Sequence, residues 1–487
     1  MVNNEYLIGV SKYKVVKFKI ISLGPLKEKS EIELNDLTVF FGPPNSGKST
    51  ALKAIYYSLY PPIITEVKDT VVNLGSLKIE YNIKDNTYEF KFYPSADYLK
   101  DLLPEGEFSV EPQFIKFVEE NSLFDHFKGT LENPSIILPS DCKGVSEVPY
   151  EVEISGKIGK VTLYLTNEFT QKCKEPLYVE LSKKIMPIVG KRIINKYMEK
   201  FIEYLKKEEK ISDVVFIPYS RSFAVFELLS LAELVASKIS FPSSSNTYPI
   251  SIIVDVVNAI INHFIFSLKS SAIENILGDI KELEIYFDKI KEKKEINEKV
   301  YRLLKPLIPG DVRIINNKLT YIEDERLIPW KYTSASVMEV VSLLLSIGQE
   351  QLILYEEPET QLHEGLQLLM ALVLYAMSSF NKLVITTHSQ TILYTLAYIS
   401  LSKPRAEDVL ELLKSLEVRG GAELAKAVEE ANSKTVRFYF FHNGKVEEKN
   451  AEEIIQGIPG VVDIMHKEFD WLSKLYWRNK LNASNNS

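Results

Sequence analysis

The stretch FGPPNSGKST, residues 41–50, constrains the fold of this chain more than any other feature of the sequence. Residues 42–49 match the pattern G-x-x-x-x-G-K-[ST], and they lie between an apolar segment of strand character and a segment of helical periodicity. A strand, this loop and a helix, in that order, present backbone N–H groups and a helix N-terminus to a phosphate group. The residues predicted to bind the phosphate are Gly42, Asn45, Ser46, Gly47, Lys48, Ser49 and Thr50. Of these, Lys48 is expected to reach the β- and γ-phosphates of a nucleotide, and Ser49 to bind Mg²⁺.

Two later segments carry side chains that suit the same chemistry. LILYEEPE, residues 352–359, is an apolar strand that ends in carboxylates. Because ligands bind at the carboxyl ends of strands in open parallel sheets, Glu356 is predicted to hold Mg²⁺ and Glu357 to orient or deprotonate an attacking water. TTHS, residues 386–389, follows another apolar strand, and His388 is predicted to contact the γ-phosphate or to position the water. A solvated strand end is the alternative for the carboxylates, but the agreement of three segments favours nucleotide hydrolysis.

The alternation of strands and helices predicts an α/β fold. Beyond residue 310, strand-like and helical segments alternate, which indicates a parallel sheet with helices on its faces. Residues 13–41 are predicted to form two strands and a turn, with EIELNDLTVFF running as one strand into the loop, and residues 76–94 to form a hairpin. We expect residues 1–94 and 311–403 to be the two halves of one head, residues 95–310 an insertion of mixed strands and helices, and residues 404–487 helices and a hairpin that complete the head.

Composition excludes several classes of protein. Of the 487 residues, 45% are hydrophobic and 25% are charged, which is typical of a globular chain with two or three domains. The two cysteines, Cys142 and Cys173, lie in unrelated contexts, which excludes a disulfide framework and a paired-cysteine zinc site. The net charge of −8 excludes a uniformly basic nucleic-acid coat. Polar residues at helical spacing interrupt the longest apolar stretch, residues 249–268, which is therefore predicted to be a buried helix and not a membrane span. The N-terminus has no signal-peptide pattern, and we expect a cytoplasmic protein.

The spacing of the motifs distinguishes between classes of ATPase. Hexameric AAA+ enzymes have a similar GPP spelling of the loop, but their acidic strand lies much closer to it, whereas about 300 residues separate Lys48 from Glu356. The arrangement resembles the P-loop, ABC-type ATPase heads of the SMC, RecF and OLD superfamily, in the N-terminal strand pair, the loop, the segment EEPETQLH and the TTHS turn. Short-armed SMC-like proteins of archaea, such as coalescin, are one similar kind. Residues 13–94 and 311–400 carry the resemblance.

The resemblance implies an ATPase that uses ATP and Mg²⁺ and dimerises head to head when ATP is bound. In such heads a Ser/Gly signature before the acidic strand caps the γ-phosphate of the opposite subunit. The corresponding stretch here is YTSASVMEV, residues 332–340, with Ser334 and Ser336 as the candidates, although the glycine usual in the family is missing. An ordinary serine N-cap is the alternative. The resemblance also implies that residues 360–363 contact the partner subunit, and that Arg221 in FIPYSR either faces nucleotide or DNA or lies at the surface.

The insertion bears on partners. Residues 273–290 have apolar residues at 3-4-3-4-3 spacing, which predicts either a short coiled-coil arm or a surface helix packed on the body. The segment 181–210 is rich in lysine, which suits DNA phosphates or a solvated face equally well. The resemblance favours DNA, and hence a chromosome-associated homodimer that acts in chromosome organisation or DNA repair. The alternative is a regulatory or defence ATPase of OLD-like type, which gates a separately encoded nuclease or toxin through a protein-binding insertion.

Overall fold

The computed structural model describes residues 17–20, 25–28, 30–59, 199–219, 297–315, 318–328, 332–418 and 420–457, together with the backbone of seven strands between residues 66 and 165. The chain divides into two compact units. One comprises residues 1–33 and 53–214, and the other comprises residues 34–52 and 215–487.

The strands are short and most are rich in β-branched and aromatic residues. They are β1 Lys17–Ile20, β2 Ser30–Glu33, β3 Leu37–Phe41, β4 Glu66–Lys68, β5 Val71–Leu74, β6 Leu77–Lys84, β7 Thr87–Pro94, β8 Phe127–Gly129, β9 Tyr150–Ser155, β10 Lys160–Leu165, β11 Asp213–Ile217, β12 Asp311–Ile315, β13 Lys318–Glu323, β14 Arg326–Ile328, β15 Gln351–Glu356, β16 Lys382–Thr387, β17 Val436–His442 and β18 Lys445–Lys449.

The helices are α1 Lys48–Leu59, α2 Glu298–Leu304, α3 Ala335–Ser346, α4 Glu364–Met377, α5 Gln390–Ser402, α6 Ala406–Ser415, α7 Ala422–Glu430 and α8 Ala451–Gln456. Residues 199–209 are also helical. Several of these helices begin at a side-chain cap, as the local sequence dictates. Ser389 caps α5 by accepting a hydrogen bond from Ile392 N–H, and Asn450 with Glu453 forms a capping box at α8.

The first unit is built from antiparallel sheets. β1 pairs with β2, and a seven-stranded antiparallel sheet has the order β4-β5-β6-β7-β10-β9-β8. The predicted hairpin of residues 76–94 is present as the antiparallel pair β6 and β7, in which Lys84 pairs with Thr87.

The second unit contains a six-stranded mixed sheet in the order β11-β15-β16-β3-β17-β18. β15, β16, β3 and β17 run parallel to one another, and β18 is antiparallel to β17. β3 and β15 are buried along their whole length, as strands covered on both faces are. α3 and α4 contribute long buried segments, residues 337–346 and 369–377, to the hydrophobic core of this unit. A separate antiparallel sheet, β12-β13-β14, lies in the same unit.

The predicted fold class, an α/β P-loop head with a mixed sheet, flanking helices and antiparallel strands in its N-terminal part, is confirmed. The prediction of one strand over residues 31–41 was wrong, because β2 ends at Glu33 and β3 begins at Leu37 in a different sheet. A turn separates the two strands: the Asn35 backbone N–H donates to Thr38 Oγ1 at 3.0 Å.

Several predictions fall outside the described residues. These are the coiled-coil arm at residues 273–290, the apolar stretch at 249–268, Arg221, and most of the lysine-rich segment 181–210. In the part of the chain that the structure describes, no helix is long and apolar enough to cross a membrane.

Candidate nucleotide-binding site

Three adjacent parallel strands bring the predicted segments to one edge of the six-stranded sheet. In the register of the sheet, Glu356 on β15 lies opposite Thr386 on β16, and Thr386 lies opposite Phe40 on β3. Loop 42–47, Glu357 and His388 therefore all follow the carboxyl ends of neighbouring strands, where ligands bind in sheets of this type.

The loop that follows β3 adopts conformations that its glycines and asparagine permit. Gly42 and Gly47 have φ of 142° and 96°, and Asn45 has φ of 57°. A Cβ atom at Gly42 would collide with the backbone carbonyl oxygen of Phe441 on β17, so only glycine fits there. After the loop, Ala51 N–H donates to Gly47 O at 2.9 Å as α1 begins.

Lys48 is buried, with only 4% of its surface exposed, although it carries an ammonium group. Its Nζ donates to the carbonyl oxygens of Gly42 and Pro43 at 3.0 and 2.9 Å, and to Ser46 Oγ at 3.4 Å. Burial lowers the pKa of Lys48 to about 8, and the nearby carboxylates of Glu357 and Glu359 oppose that shift. The loop therefore holds a desolvated cation, which suits an anionic ligand.

The two carboxylates at the end of β15 differ in environment. Glu356 is 1% exposed, and its Oε2 accepts a hydrogen bond from the Tyr219 backbone N–H, just beyond β11, at 3.3 Å. Glu357 has φ of 43°, and its backbone N–H donates to Thr386 O at 3.0 Å. Glu357 follows the last residue of β15, and its carboxylate lies 3.6 Å from His388 Nε2.

His388 lies beside both the Glu357 carboxylate and the loop, since the Lys48 ammonium and the Gly42 backbone both act on its pKa. Burial lowers the pKa of His388, and the Lys48 ammonium lowers it further, whereas Glu357 and the Gly42 carbonyl raise it. The net effect lowers the pKa of His388 below its usual value of 6.5, which favours the neutral ring at pH 7.

A family model described as AAA ATPase domain, AAA_15, matches residues 14–393. The chain belongs to this family. The match begins before loop 42–47 and ends after His388, so it spans the loop and both strand ends described above. The protein is therefore an ATPase, and the prediction of ATPase activity is confirmed.

Solved structures with a similar chain course are SMC head domains. The head from Thermotoga maritima is 10% identical, covers 89% of this chain and 97% of its own, and has a TM-score of 0.29. An SMC head bound to the C-terminal winged-helix domain of ScpA has 11% identity, coverage of 90% and 99%, and a TM-score of 0.32. An SMC head with an extended coiled coil, bound to the C-terminal domain of ScpA derived from Pyrococcus furiosus, has 10% identity, coverage of 91% and 97%, and a TM-score of 0.29. At these scores the likeness carries no functional inference. No curated protein sequence matches the chain.

The candidate site contains a carboxylate that sequence reasoning missed. Glu359 accepts hydrogen bonds from three groups of the turn after β16: Thr387 Oγ1 at 3.0 Å, the His388 backbone N–H at 2.5 Å and the Ser389 backbone N–H at 3.1 Å. Burial and the Glu357 carboxylate raise the pKa of Glu359, whereas the His388 N–H and the Thr387 hydroxyl lower it. The available signal was a third carboxylate in EEPE, directly after Pro358, but a sequence does not distinguish it from a solvated side chain.

The candidate signature serines lie at the start of α3. Ser334 Oγ accepts from Val337 N–H at 3.3 Å, so Ser334 is the N-cap of α3, and Ser334 Oγ is 3.1 Å from Ser336 Oγ. Among the described residues, no hydrogen bond joins either serine to loop 42–47 of the same chain. The structure thus brings Lys48, Glu357 and His388 of the ATPase together, and leaves the serines outside that group.

Ser49 and Glu356 are oxygen donors of the kind that Mg²⁺ prefers. Ser49 is the second residue of α1, directly after Lys48, and it is partly exposed. No group of three or more His, Cys, Asp or Glu residues with metal-binding geometry occurs in the described ranges. A site of one hydroxyl and one carboxylate fits a magnesium ion that takes its remaining ligands from nucleotide phosphates and water, as Mg²⁺ commonly does.

Proposed function

We propose that this ATPase binds ATP with Mg²⁺ at the edge formed by β3, β15 and β16, and that hydrolysis there controls the association of two copies of the chain. One observation carries the proposal: Lys48, Glu357 and His388 lie close together beside a glycine-containing loop at the start of α1. The backbone N–H groups of residues 45–49 and the N-terminus of α1 would surround the β- and γ-phosphates.

Each side chain has a role that its environment supports. Lys48 would exchange its bonds to the loop carbonyls for phosphate oxygens, which favours its charged form. Ser49 and Glu356 would hold Mg²⁺, which neutralises phosphate charge when bound. Glu357 would orient or deprotonate the attacking water, and the neutral His388 beside it would contact the γ-phosphate.

The proposal includes an ATP-dependent homodimer. Ser334 and Ser336 would complete the site of the partner copy, because the exposed start of α3 offers hydroxyls and N–H groups to an anion. Residues 360–363 lie between Glu357 and α4, and they would contact the partner when the two heads close.

The test uses a variant that binds ATP without hydrolysing it. We expect Glu357→Gln to form a stable dimer with saturating ATP and Mg²⁺, measured by size-exclusion chromatography with light scattering. Glu423→Gln, an exposed change at the start of α7, is the matched control and is expected to behave as the wild type. A Glu357→Gln variant that remains monomeric under these conditions would exclude the head-to-head model.

We further propose that the ATPase acts on DNA. The support is a row of exposed lysines, Lys206, Lys207 and Lys210, at the end of the helical residues 199–209, although Lys200 nearby is paired with Glu203 at 3.0 Å. The affinity for duplex DNA, measured by fluorescence anisotropy with ATP across a salt series, is expected to weaken steeply with salt. The double variant Lys206→Gln with Lys207→Gln is expected to reduce the slope of log affinity against log salt concentration by about 2. Absence of binding at low salt would favour the regulatory ATPase that gates a separate nuclease or toxin.

A further inference from the structure

Two side chains to which the proposed reaction assigns no role hold the turn that carries His388. The first is Glu359, whose carboxylate collects the Thr387 hydroxyl and the backbone N–H groups of His388 and Ser389. Hydrogen bonds to a carboxylate are stronger than those between neutral groups, and three of them act on three consecutive residues. Glu359 therefore determines where this turn lies relative to the end of β15.

The second side chain is Gln367, on the first turns of α4. Its Nε2 donates to Leu362 O at 2.7 Å, and its Oε1 accepts from Ser389 Oγ at 2.6 Å. The same Ser389 hydroxyl accepts from Ile392 N–H as the cap of α5. Gln367 thus joins the backbone of the segment after β15 to the residue that begins α5.

Both connections join the same two segments, residues 357–363 and residues 387–389. Within this frame Glu357 Oε1 and His388 Nε2 are 3.6 Å apart, and the Gly42 backbone lies close enough to the ring to act on its pKa. A displacement of the turn by about 1 Å would separate the histidine from both partners, and misplacements of that size cost about 100-fold in rate.

We propose that Glu359 and Gln367 are positioning residues for ATP hydrolysis, which hold His388 against Glu357 and against the loop after β3. This inference rests on the proposed function, because it gives His388 a role in hydrolysis. It also has a consequence for the dimer: since Gln367 binds a carbonyl within residues 360–363, contact of that segment with a second copy is transmitted to the His388 turn.

The experiment compares three variants of the full chain with the wild type. Glu359→Ala removes all three hydrogen bonds to the turn. Glu359→Gln removes the charge but keeps a carbonyl oxygen that accepts from both backbone N–H groups. Gln367→Leu removes the second connection with little change in volume. The control is Glu411→Ala, an exposed carboxylate on α6. The measurements are kcat and KM for ATP, the Kd of a non-hydrolysable ATP analogue with Mg²⁺, and the unfolding midpoint.

We expect Glu359→Ala to lower kcat by about 10- to 100-fold while the Kd of the analogue changes less than about 3-fold. Glu359→Gln is expected to recover kcat to within about 3-fold of wild type, and Gln367→Leu to lower it by about 3- to 10-fold. Rescue by the conservative variant and the separation of kcat from Kd distinguish positioning from general destabilisation, which would move both.

Three results would overturn the inference. They are a kcat of Glu359→Ala equal to that of Glu411→Ala, a loss of kcat matched by an equal loss of affinity, and a Glu359→Gln variant as slow as Glu359→Ala. If Glu359→Ala does not fold, Gln367→Leu decides, and a wild-type kcat in that variant rejects the proposal. A wild-type protein that binds ATP without hydrolysing it would instead contradict the proposed function.

Discussion

Replacement of Lys48 by methionine should stabilise the folded protein while it abolishes ATP binding. Methionine has a similar length and no charge, so it fills the same space without an ion to desolvate. The pKa of Lys48 falls from 10.5 to about 8 on folding, mainly because of burial. At about 1.4 kcal/mol per pH unit, that difference corresponds to roughly 3 kcal/mol of unfavourable free energy at pH 7.

The net gain is smaller because methionine loses the hydrogen bonds of Nζ. The carbonyl oxygen of Pro43 lies in an exposed residue that water can reach, and Gly42 is also partly exposed. Allowing for these bonds, we expect Lys48→Met to raise the free energy of unfolding by about 1–2 kcal/mol near pH 7. Under the proposed function, the protein keeps a destabilising cation because Lys48 binds phosphate, as active sites often do.

The pH dependence gives a second check with a defined sign. Unfolded Lys48 stays protonated up to about pH 10.5, and folded Lys48 only up to about pH 8. Between these values the unfolded state binds more protons, so the wild-type free energy of unfolding rises with pH. The advantage of Lys48→Met is therefore largest below pH 8 and shrinks as the pH approaches 10.5.

The assay is urea unfolding of the nucleotide-free protein near pH 7 and near pH 9.5. Unfolding is monitored by hydrogen-exchange mass spectrometry at peptides that cover β3 and β15. This readout reports on the second unit alone, so a separate transition of the first unit does not interfere. Lys426→Met, an exposed change on α7, is the control and should alter stability by less than about 0.5 kcal/mol. A variant less stable than wild type near pH 7, or a difference that does not shrink near pH 9.5, would refute the reasoning.

Three further predictions follow from single residues. Gly42→Ala is expected to lower the free energy of unfolding by at least about 3 kcal/mol, because of its φ of 142° and the collision with Phe441 O. Gly420→Ala, whose Cβ meets no atom within 4 Å, is expected to lower it by about 1 kcal/mol. The thermal unfolding midpoints of the two variants provide the comparison. Ser334→Ala is expected to lower the free energy of unfolding by about 1 kcal/mol, because α3 loses its N-cap. Ser334→Asn is expected to restore that stability but not the ATP-dependent dimer. Light scattering on the Asn variant therefore separates the role of Ser334 as a cap from its role in the dimer. Because the pKa of His388 is lowered, kcat for ATP hydrolysis is expected to be flat from pH 8 to pH 6.5 and to fall only below pH 6.5. The variant His388→Asn should abolish this fall at acidic pH. An unchanged pH profile in the variant would contradict the role of His388.

Much of the site could be predicted because its components are local. The loop motif depends on contiguous glycine, lysine and serine residues between a strand and a helix, and α1 begins at Lys48 as that pattern requires. β15 and β16 are apolar runs of the length of buried strands, and each ends at the residues of interest.

Two features were not predictable in this way. The separation of β2 from β3 depends on pairing with different sheets, which the continuous run EIELNDLTVFF does not reveal. The roles of Glu359 and Gln367 depend on contacts across 22 to 30 positions of sequence, to residues whose own turn is formed by folding.

The sequence by itself determined the elements of the head and the chemistry of its loop and strand ends, because backbone conformation and amphipathic period are encoded over a few residues. The tertiary structure decided which of these distant residues are neighbours in space. Only the parallel order β15-β16-β3 places a lysine at position 48 beside a glutamate at 357 and a histidine at 388, since strand pairing is set by packing among distant segments. That packing, and no local sequence pattern, creates the environment that lowers the pKa of Lys48. It also places the Glu359 carboxylate against the turn that carries His388.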